Sequence, residues 1–299
     1  MVKLKTRSLW FLAAFLFLST VPTVAEVVKK VSDCDQFLLE KTPPELPDIL
    51  KGGKIQDQNR YKPICQTYDN ERRFLTLYDT RNKIPVISAY QYKGEKEPGR
   101  PKDRWMIEPQ LENEADKNKN MADEEKGKTY DHQAMDTDYT TSTQYNRGHL
   151  FPSIHASTKS DKTSTLTLTN IVPQEVTFNR ETWSNMEKCI RCLMDHNCKS
   201  DGFVVVGQQP SPNNFLHNRV NIPSTLWSAF CCYNPKSKKW ISAAHWGNNV
   251  DQSDNLPIKT LGELHQQLNN AQVFDKQCPL TKSVTDKMIK ACPKICRSD

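Results

Sequence analysis

The chain has 299 residues, with 41 Lys and Arg against 35 Asp and Glu, a net charge of +6 and 36% hydrophobic residues. That length and apolar content bury a substantial core and exclude a disordered polymer. Three of the cations fall in the first seven residues, so the rest of the chain is too mildly basic for bulk capture of nucleic acid, and phosphate binding needs a local cluster.

Lys3, Lys5 and Arg7 precede an apolar run from Leu9 to Leu18, and small residues suited to cleavage follow to Ala25. A bilayer span needs about 20 apolar residues, so this run predicts a signal peptide over 1–25, secretion to the extracellular space and no stable membrane anchor. Cys296-Arg297-Ser298-Asp299 carries no retention signal of the KDEL kind. Ten cysteines all lie beyond residue 25, an even count that predicts disulfides whose pairing cannot be read from sequence.

Residues 26–62 are expected to form an N-terminal arm, with a short helix opened by Asp33 or Asp35 and ended by Pro43, Pro44 and Pro47. Cys34 is expected to tie this arm to the body. Phe74–Tyr78 and Ile84–Tyr90 alternate as two strands joined by a turn at Asp79–Lys83, with Arg81 at the turn. Lys93–Gln133 is polar apart from Trp105-Met106-Ile107, and within it residues 113–128 are expected to be a mobile surface loop. Ser164–Leu168 alternates like a strand, and Asn179, Trp183, Met186, Ile190 and Leu193 follow a helical apolar pattern apart from Asn179, which opens it. Residues 202–207, 219–223, 226–233 and 239–246 read as further strands and 258–268 as a closing helix. Strands with a few helices and no βαβ alternation predict an α+β domain over 63–275, followed by a Cys-rich tail at 276–299.

The chemistry gathers in Asn146-Arg147-Gly148-His149 and in Thr169-Asn170 through Gln174 to Asn179, Trp183 and Glu187. An arginine offers a planar fork of donors to phosphate oxygens, and a histidine can take a proton from water near neutral pH. Gly148 admits a close backbone approach to a bulky anion. A divalent cation held by an amide oxygen would stabilise charge on the phosphate, while Glu187 lies two helical turns on. Read without the neighbouring pattern, Asn179 is better taken as an N-cap, and Glu187 as a solvated helix residue. Cys189-Ile190-Arg191-Cys192 with His196 and Cys198 has zinc-like spacing, but in a secreted chain disulfides take precedence.

These blocks resemble the DNA/RNA non-specific endonucleases of the ββα-metal class over most of residues 70–270. The resemblance rests on Tyr78-Asp79-Thr80-Arg81, Asp138-Tyr139, Arg147-Gly148-His149-Leu150 with Pro152, Thr169-Asn170, Pro173-Gln174, Asn179, Trp183 and Glu187. It also includes Val204–Gly207 and Ile222-Pro223-Ser224. It implies a largely antiparallel sheet flanked by helices, with a ββα finger carrying the site. His149 is then the general base, Asn179 the direct Mg²⁺ ligand (Mn²⁺ substituting), and Glu187 the group behind the metal-bound waters. Arg147 and Arg81 hold the phosphate, Asn170 and Gln174 support the substrate, and Arg180 adds positive charge near the phosphate path. The implied activity is metal-dependent hydrolysis of DNA or RNA with low sequence specificity, the partner being the nucleic-acid backbone. Asn146 replaces the family's usual Asp, which keeps alive a rival reading: a weak or inactive member that binds nucleic acid or protein.

Overall fold

Side chains that alternate across a strand need something to cover both faces, and this chain supplies a layer for each. The structure, a computed structural model, describes residues 26–99, 101–102, 104–198, 201–292 and 296, so the expected signal peptide lies outside the described residues. The strands used below are β1 (Glu26–Val27), β2 (Tyr61–Tyr68), β3 (Glu71–Asp79), β4 (Ile84–Tyr92) and β5 (Tyr145–His149). They continue with β6 (Ile171–Glu175), β7 (Gly202–Gln209), β8 (Thr225–Asn234) and β9 (Lys239–Asn248). The helices are α1 (Lys159–Ser164), α2 (Ser184–Asn197), α3 (Leu261–Gln267) and α4 (Asp286–Lys290).

Seven strands form one sheet in the order β1-β2-β3-β4-β7-β8-β9, antiparallel throughout. On β8, Leu226, Phe230 and Cys232 join the core shared with the β5–β6 hairpin and α2. Trp227, Ala229 and Cys231 on the same strand join the core under the N-terminal arm and α3. The fold is therefore α+β, a sheet between two layers.

The adjacent Cys231 and Cys232 show what this alternation does. Their side chains leave β8 on opposite faces and cannot pair with each other. Cys232 bonds Cys198 at the end of α2, while Cys231 bonds Cys278 beyond α3. Cys34 bonds Cys65 on β2 and ties the arm to the body, as expected.

Four local expectations need correction. Ser164–Leu168 is not a strand: Thr158 accepts from the Asp161 backbone N–H and opens α1, which ends at Ser164. Of 219–223 only Val220–Asn221 pairs, with Phe215–Leu216. The helix after β6 begins before Asn179, because the Glu175 carboxylate accepts from the Phe178 backbone N–H at 2.8 Å. The 113–128 stretch is laid on the body: Met121 is buried with Met106 and Leu166, and its backbone N–H donates to Thr67 O at 3.0 Å.

Two histidines lie inside the layer between sheet and α2. His155 Nε2 meets the Glu187 carbonyl oxygen at 2.8 Å, which can only accept, so Nε2 carries the proton and Nδ1 accepts from Tyr90 Oη at 2.8 Å. His245 on β9 has no exposed surface, and neither ring nitrogen has a partner among the described residues. Burial pushes His155 down to about 4 and His245 down to about 3. Unfolded, both would protonate near their ordinary value of about 6.5. Below that pH the unfolded chain binds more protons, so the stability is complete above about 6.5 and is lost as pH falls through 4 and toward 3. Urea midpoints are expected to fall on acidification from neutral pH, with a slope made shallower by His245→Asn; an unchanged slope in that variant would remove His245 from the account.

Candidate active site

The site is built on the β5–β6 hairpin. Its register sets Asn146 opposite Gln174, Arg147 opposite Pro173, Gly148 opposite Val172 and His149 opposite Ile171. By the pleat, Arg147 and His149 share one face and Asn146 and Gly148 the other. Contacts agree with this division. The Trp105 ring lies 5.7 Å from the His149 ring, and the Arg147 guanidinium sits 5.1 Å from the Trp105 ring centroid. On the opposite face, a Cβ added at Gly148 would fall 2.5 Å from Gln174 Cβ. Gly148 is thus required by the side chain that crosses it, not by an unusual backbone angle.

Arg147 is held from two directions. Its Nη2 lies 2.5 Å from Asp136 Oδ1, and the Tyr139 ring lies 5.8 Å from its guanidinium carbon, a second aromatic wall beside Trp105. Asp138, next in the chain to these groups, takes Arg219 Nε at 2.9 Å and the Met135 backbone N–H at 2.8 Å, which fixes the turn bearing Asp136 and Tyr139.

From β6 the chain passes directly into a helical segment, so strand, strand and helix form one ββα unit. Its first part, Phe178–Trp183, has π-helical hydrogen bonding, a widened turn often associated with functional sites. Asn179 lies in that turn, partly exposed, and its amide has no hydrogen-bond partner among the described residues. The reading of Asn179 as an N-cap is excluded, since Glu175 caps the helix. Arg180 beside it is exposed and makes no ion pair with any described residue. Burial pushes the Glu187 carboxyl up to about 8, against a weaker downward pull from Lys188 and Trp183. His155 fixes the backbone at Glu187 through the bond given above.

The donor set fits a hard divalent cation: an uncommitted amide oxygen, and a carboxyl on the same helix that burial keeps from ionising and that a nearby positive charge would stabilise as carboxylate. The nitrogen-sulfur alternative does not stand. Cys189, Cys192 and Cys198 are bonded to Cys296, Cys292 and Cys232. No described cysteine is free.

Two expected residues, Asn170 and Gln174, have no accessible surface, and a third, Arg81, lies on a turn outside the hairpin. Asn170 is fully buried: Oδ1 accepts from Ser88 Oγ and the Phe151 backbone N–H, each at 2.9 Å, and Nδ2 donates to Phe151 O and Thr165 O. Gln174 is also fully buried and lies on the hairpin face away from His149. Both are corrected to supporting positions, because a residue with no accessible surface cannot touch substrate. Arg81 is exposed at the turn between β3 and β4, with its backbone N–H donating to Asp79 Oδ1 at 3.0 Å. No hydrogen bond, ion pair or ring contact among the described residues joins Arg81 to the hairpin.

Trp105, Asp136, Glu175, His155 and Asn249 are the residues that pattern reading missed. Only Trp105 left a signal, as part of an apolar triplet inside a polar insertion. Asn249 left none because its partners are remote in sequence: its amide donates to Pro173 O and Pro223 O and accepts from the Glu175 backbone N–H.

A ββα unit on an antiparallel sheet, with a basic and an imidazole side chain on one hairpin face, defines a fold class that the comparisons specify further. The family model for DNA/RNA non-specific endonuclease matches residues 55–283, and the chain belongs to this family. The chain is 30% identical over 275 residues to the Endonuclease domain-containing 1 protein of Homo sapiens, covering 89% of this chain and 52% of that one. Its Mus musculus counterpart is 28% identical over 272 residues, covering 86% of this chain and 50% of that one. This chain therefore spans about half the length of these relatives. Among solved structures, the crystal structure of the EndoG/EndoGI complex, on the mechanism of EndoG inhibition, matches with a TM-score of 0.51 at 16% identity. That match covers 68% of this chain and 83% of the other, and is a likeness of fold.

Gly148→Ala is expected to push the hairpin strands apart, since the new Cβ would meet Gln174 Oε1 at 2.1 Å. Overpacking of this kind costs about 1–3 kcal/mol. A thermal melt should show the loss, and a melting point equal to that of the parent would refute the crowding argument.

Proposed function

We propose that this chain is a secreted, Mg²⁺-dependent endonuclease that hydrolyses phosphodiester bonds of DNA or RNA, or of both, with little sequence preference. One observation carries the reading: His149 and Arg147 share one hairpin face against Trp105, and the same hairpin runs into the turn bearing the uncommitted Asn179 amide. Family membership supports nuclease chemistry. Five disulfides fit an oxidising compartment, and among the described residues no helix is long and apolar enough to cross a membrane.

In this reading His149 removes a proton from the attacking water, a role worth about 10²–10⁴-fold. Arg147, already oriented by Asp136 and Trp105, donates to a non-bridging phosphate oxygen without a large ordering cost. Arg180 adds a second exposed cation beside Asn179. Asn179 would hold the metal through its amide oxygen, and Glu187, kept in place by the His155 bond to its carbonyl, would accept hydrogen bonds from metal-bound water. When bound, the cation supplies Lewis-acid stabilisation of the phosphate and leaving group. Contacts to phosphate carry no base information, hence the low sequence selectivity.

Purified protein is expected to nick plasmid in Mg²⁺ or Mn²⁺, to stop in EDTA, and to lose at least about 10²-fold in His149→Ala. Asn179→Ala should lose activity with its fold intact by circular dichroism. Cleavage that survives EDTA and both substitutions would refute the proposal.

The rival reading drew on Asn146 in place of an acid. Asn146 faces the Gln174 side of the hairpin, away from His149 and Arg147, so an added charge there meets neither side chain directly. Asn146→Asp is expected to leave the nicking rate within the same order of magnitude. A large rise would favour a catalytically weakened protein instead.

A further inference from the structure

We propose that the Cys192–Cys292 disulfide is a thiol-exchange site, open to small and protein dithiols while the rest of the fold stays intact. Eight of the ten cysteines are buried, each at 2% exposure or less: Cys34, Cys65, Cys189, Cys198, Cys231, Cys232, Cys278 and Cys296. Cys192 and Cys292 alone are half-buried, and they bond to each other. Thiol–disulfide exchange requires a thiolate to reach a sulfur, so access separates this bond from the other four.

The second observation is His196, exposed one turn after Cys192 on α2. Its Nδ1 lies 2.9 Å from the Cys192 carbonyl oxygen, which can only accept, so Nδ1 carries a proton. The same Nδ1 is 3.4 Å from Cys192 Sγ, within hydrogen-bond reach of sulfur. The Nδ1–H held by the carbonyl thus sits within reach of the sulfur that would leave as thiolate and can turn to it as charge develops there, and stabilising the leaving thiolate speeds exchange. Lys188 stands one turn earlier on the same helix face, adding positive charge.

The step balances as follows. A thiolate of the dithiol attacks Cys292 Sγ, forming a mixed disulfide and breaking the bond to Cys192, whose thiolate accepts from His196 Nδ1–H. The second thiol of the reagent then attacks its own sulfur in the mixed disulfide. Cys292 leaves as thiolate and takes up a proton, the dithiol is oxidised to its cyclic disulfide, and the protein pair is reduced to two thiols. A monothiol would stop at the mixed disulfide on Cys292. The tail remains attached through Cys189–Cys296, whose two cysteines are each 2% exposed.

The full chain would be treated with graded dithiothreitol, quenched with iodoacetamide and mapped by peptide mass. Cys192 and Cys292 should be alkylated first, on the order of tenfold or more ahead of any other cysteine, with unchanged circular dichroism. His196→Ala should slow that first step severalfold and leave the slower ones alone. Simultaneous labelling of all ten cysteines, another pair reacting first, or an unaltered rate in His196→Ala would overturn the proposal.

Discussion

The site depends on one buried amide. Asn170 joins three pieces of chain at once: Ser88 on β4, Phe151 just beyond β5, and Thr165 after α1. Both of its amide atoms are committed in the interior, where an unmet donor or acceptor would cost about 1–3 kcal/mol each. Because Phe151 follows His149 by two residues, this clasp fixes how far the end of β5 can stray from the sheet. Where β5 ends determines where His149 points. The face that carries His149 and Arg147 is thus set from beneath, by buried groups.

A division between a supporting face and a working face also explains which parts of the molecule were legible in its sequence. The hairpin of Phe74–Tyr78 with Ile84–Tyr90 and the later strands were visible, because period-two alternation is a local signal. The ββα unit was implied by the family resemblance of the motif blocks. The same resemblance implied substrate contacts for Asn170 and Gln174, and which side of a pleat such residues occupy is not visible until the register is known. Ser164–Leu168 misled for a different reason: Thr and Leu alternate there, yet Thr158 and Asp161 a few residues earlier form a capping box that starts a helix. Local capping outweighed alternation. Asp136 and Asn249 were invisible because their partners are fixed only by tertiary structure, and Glu175 because a cap given by a strand's last residue is not in the usual N-cap pattern.

Electrostatics follow the same logic of a quiet interior and a prepared surface. His155 and His245 are held neutral by burial, so the layer beneath the site carries no imidazolium charge near neutral pH. The cations lie outside it: Arg147 braced by Asp136 and aromatic rings, and Arg180 in the open. A chain with only a mild positive balance can still hold a phosphate if a few donors are oriented in advance, since the ordering cost has already been met in folding. Glu187 is the exception, a carboxyl that burial drives up to about 8. An isolated anion there is unfavourable, so the position makes sense as one completed by positive charge.

The covalent bonds bear on the same helix. Cys189, Cys192 and Cys198 all lie on or at the end of α2, and each is tied to a different partner in the tail or on β8. A helix proposed to hold a metal must keep its donors within a fraction of an ångström, whereas a helix that packs on one side through side chains alone can slide or tilt. Cys198–Cys232 pins the C-terminal end of α2 to the sheet, and the two tail bonds tie its middle to the C-terminal tail. The Glu175 cap and the Thr182 hydroxyl, which donates to Gln252 O at 2.9 Å, hold the N-terminal end that carries Asn179. Hydrogen bonds therefore position the segment that carries Asn179, and disulfides restrain the helix that continues from it, beginning at Cys189, two residues beyond Glu187.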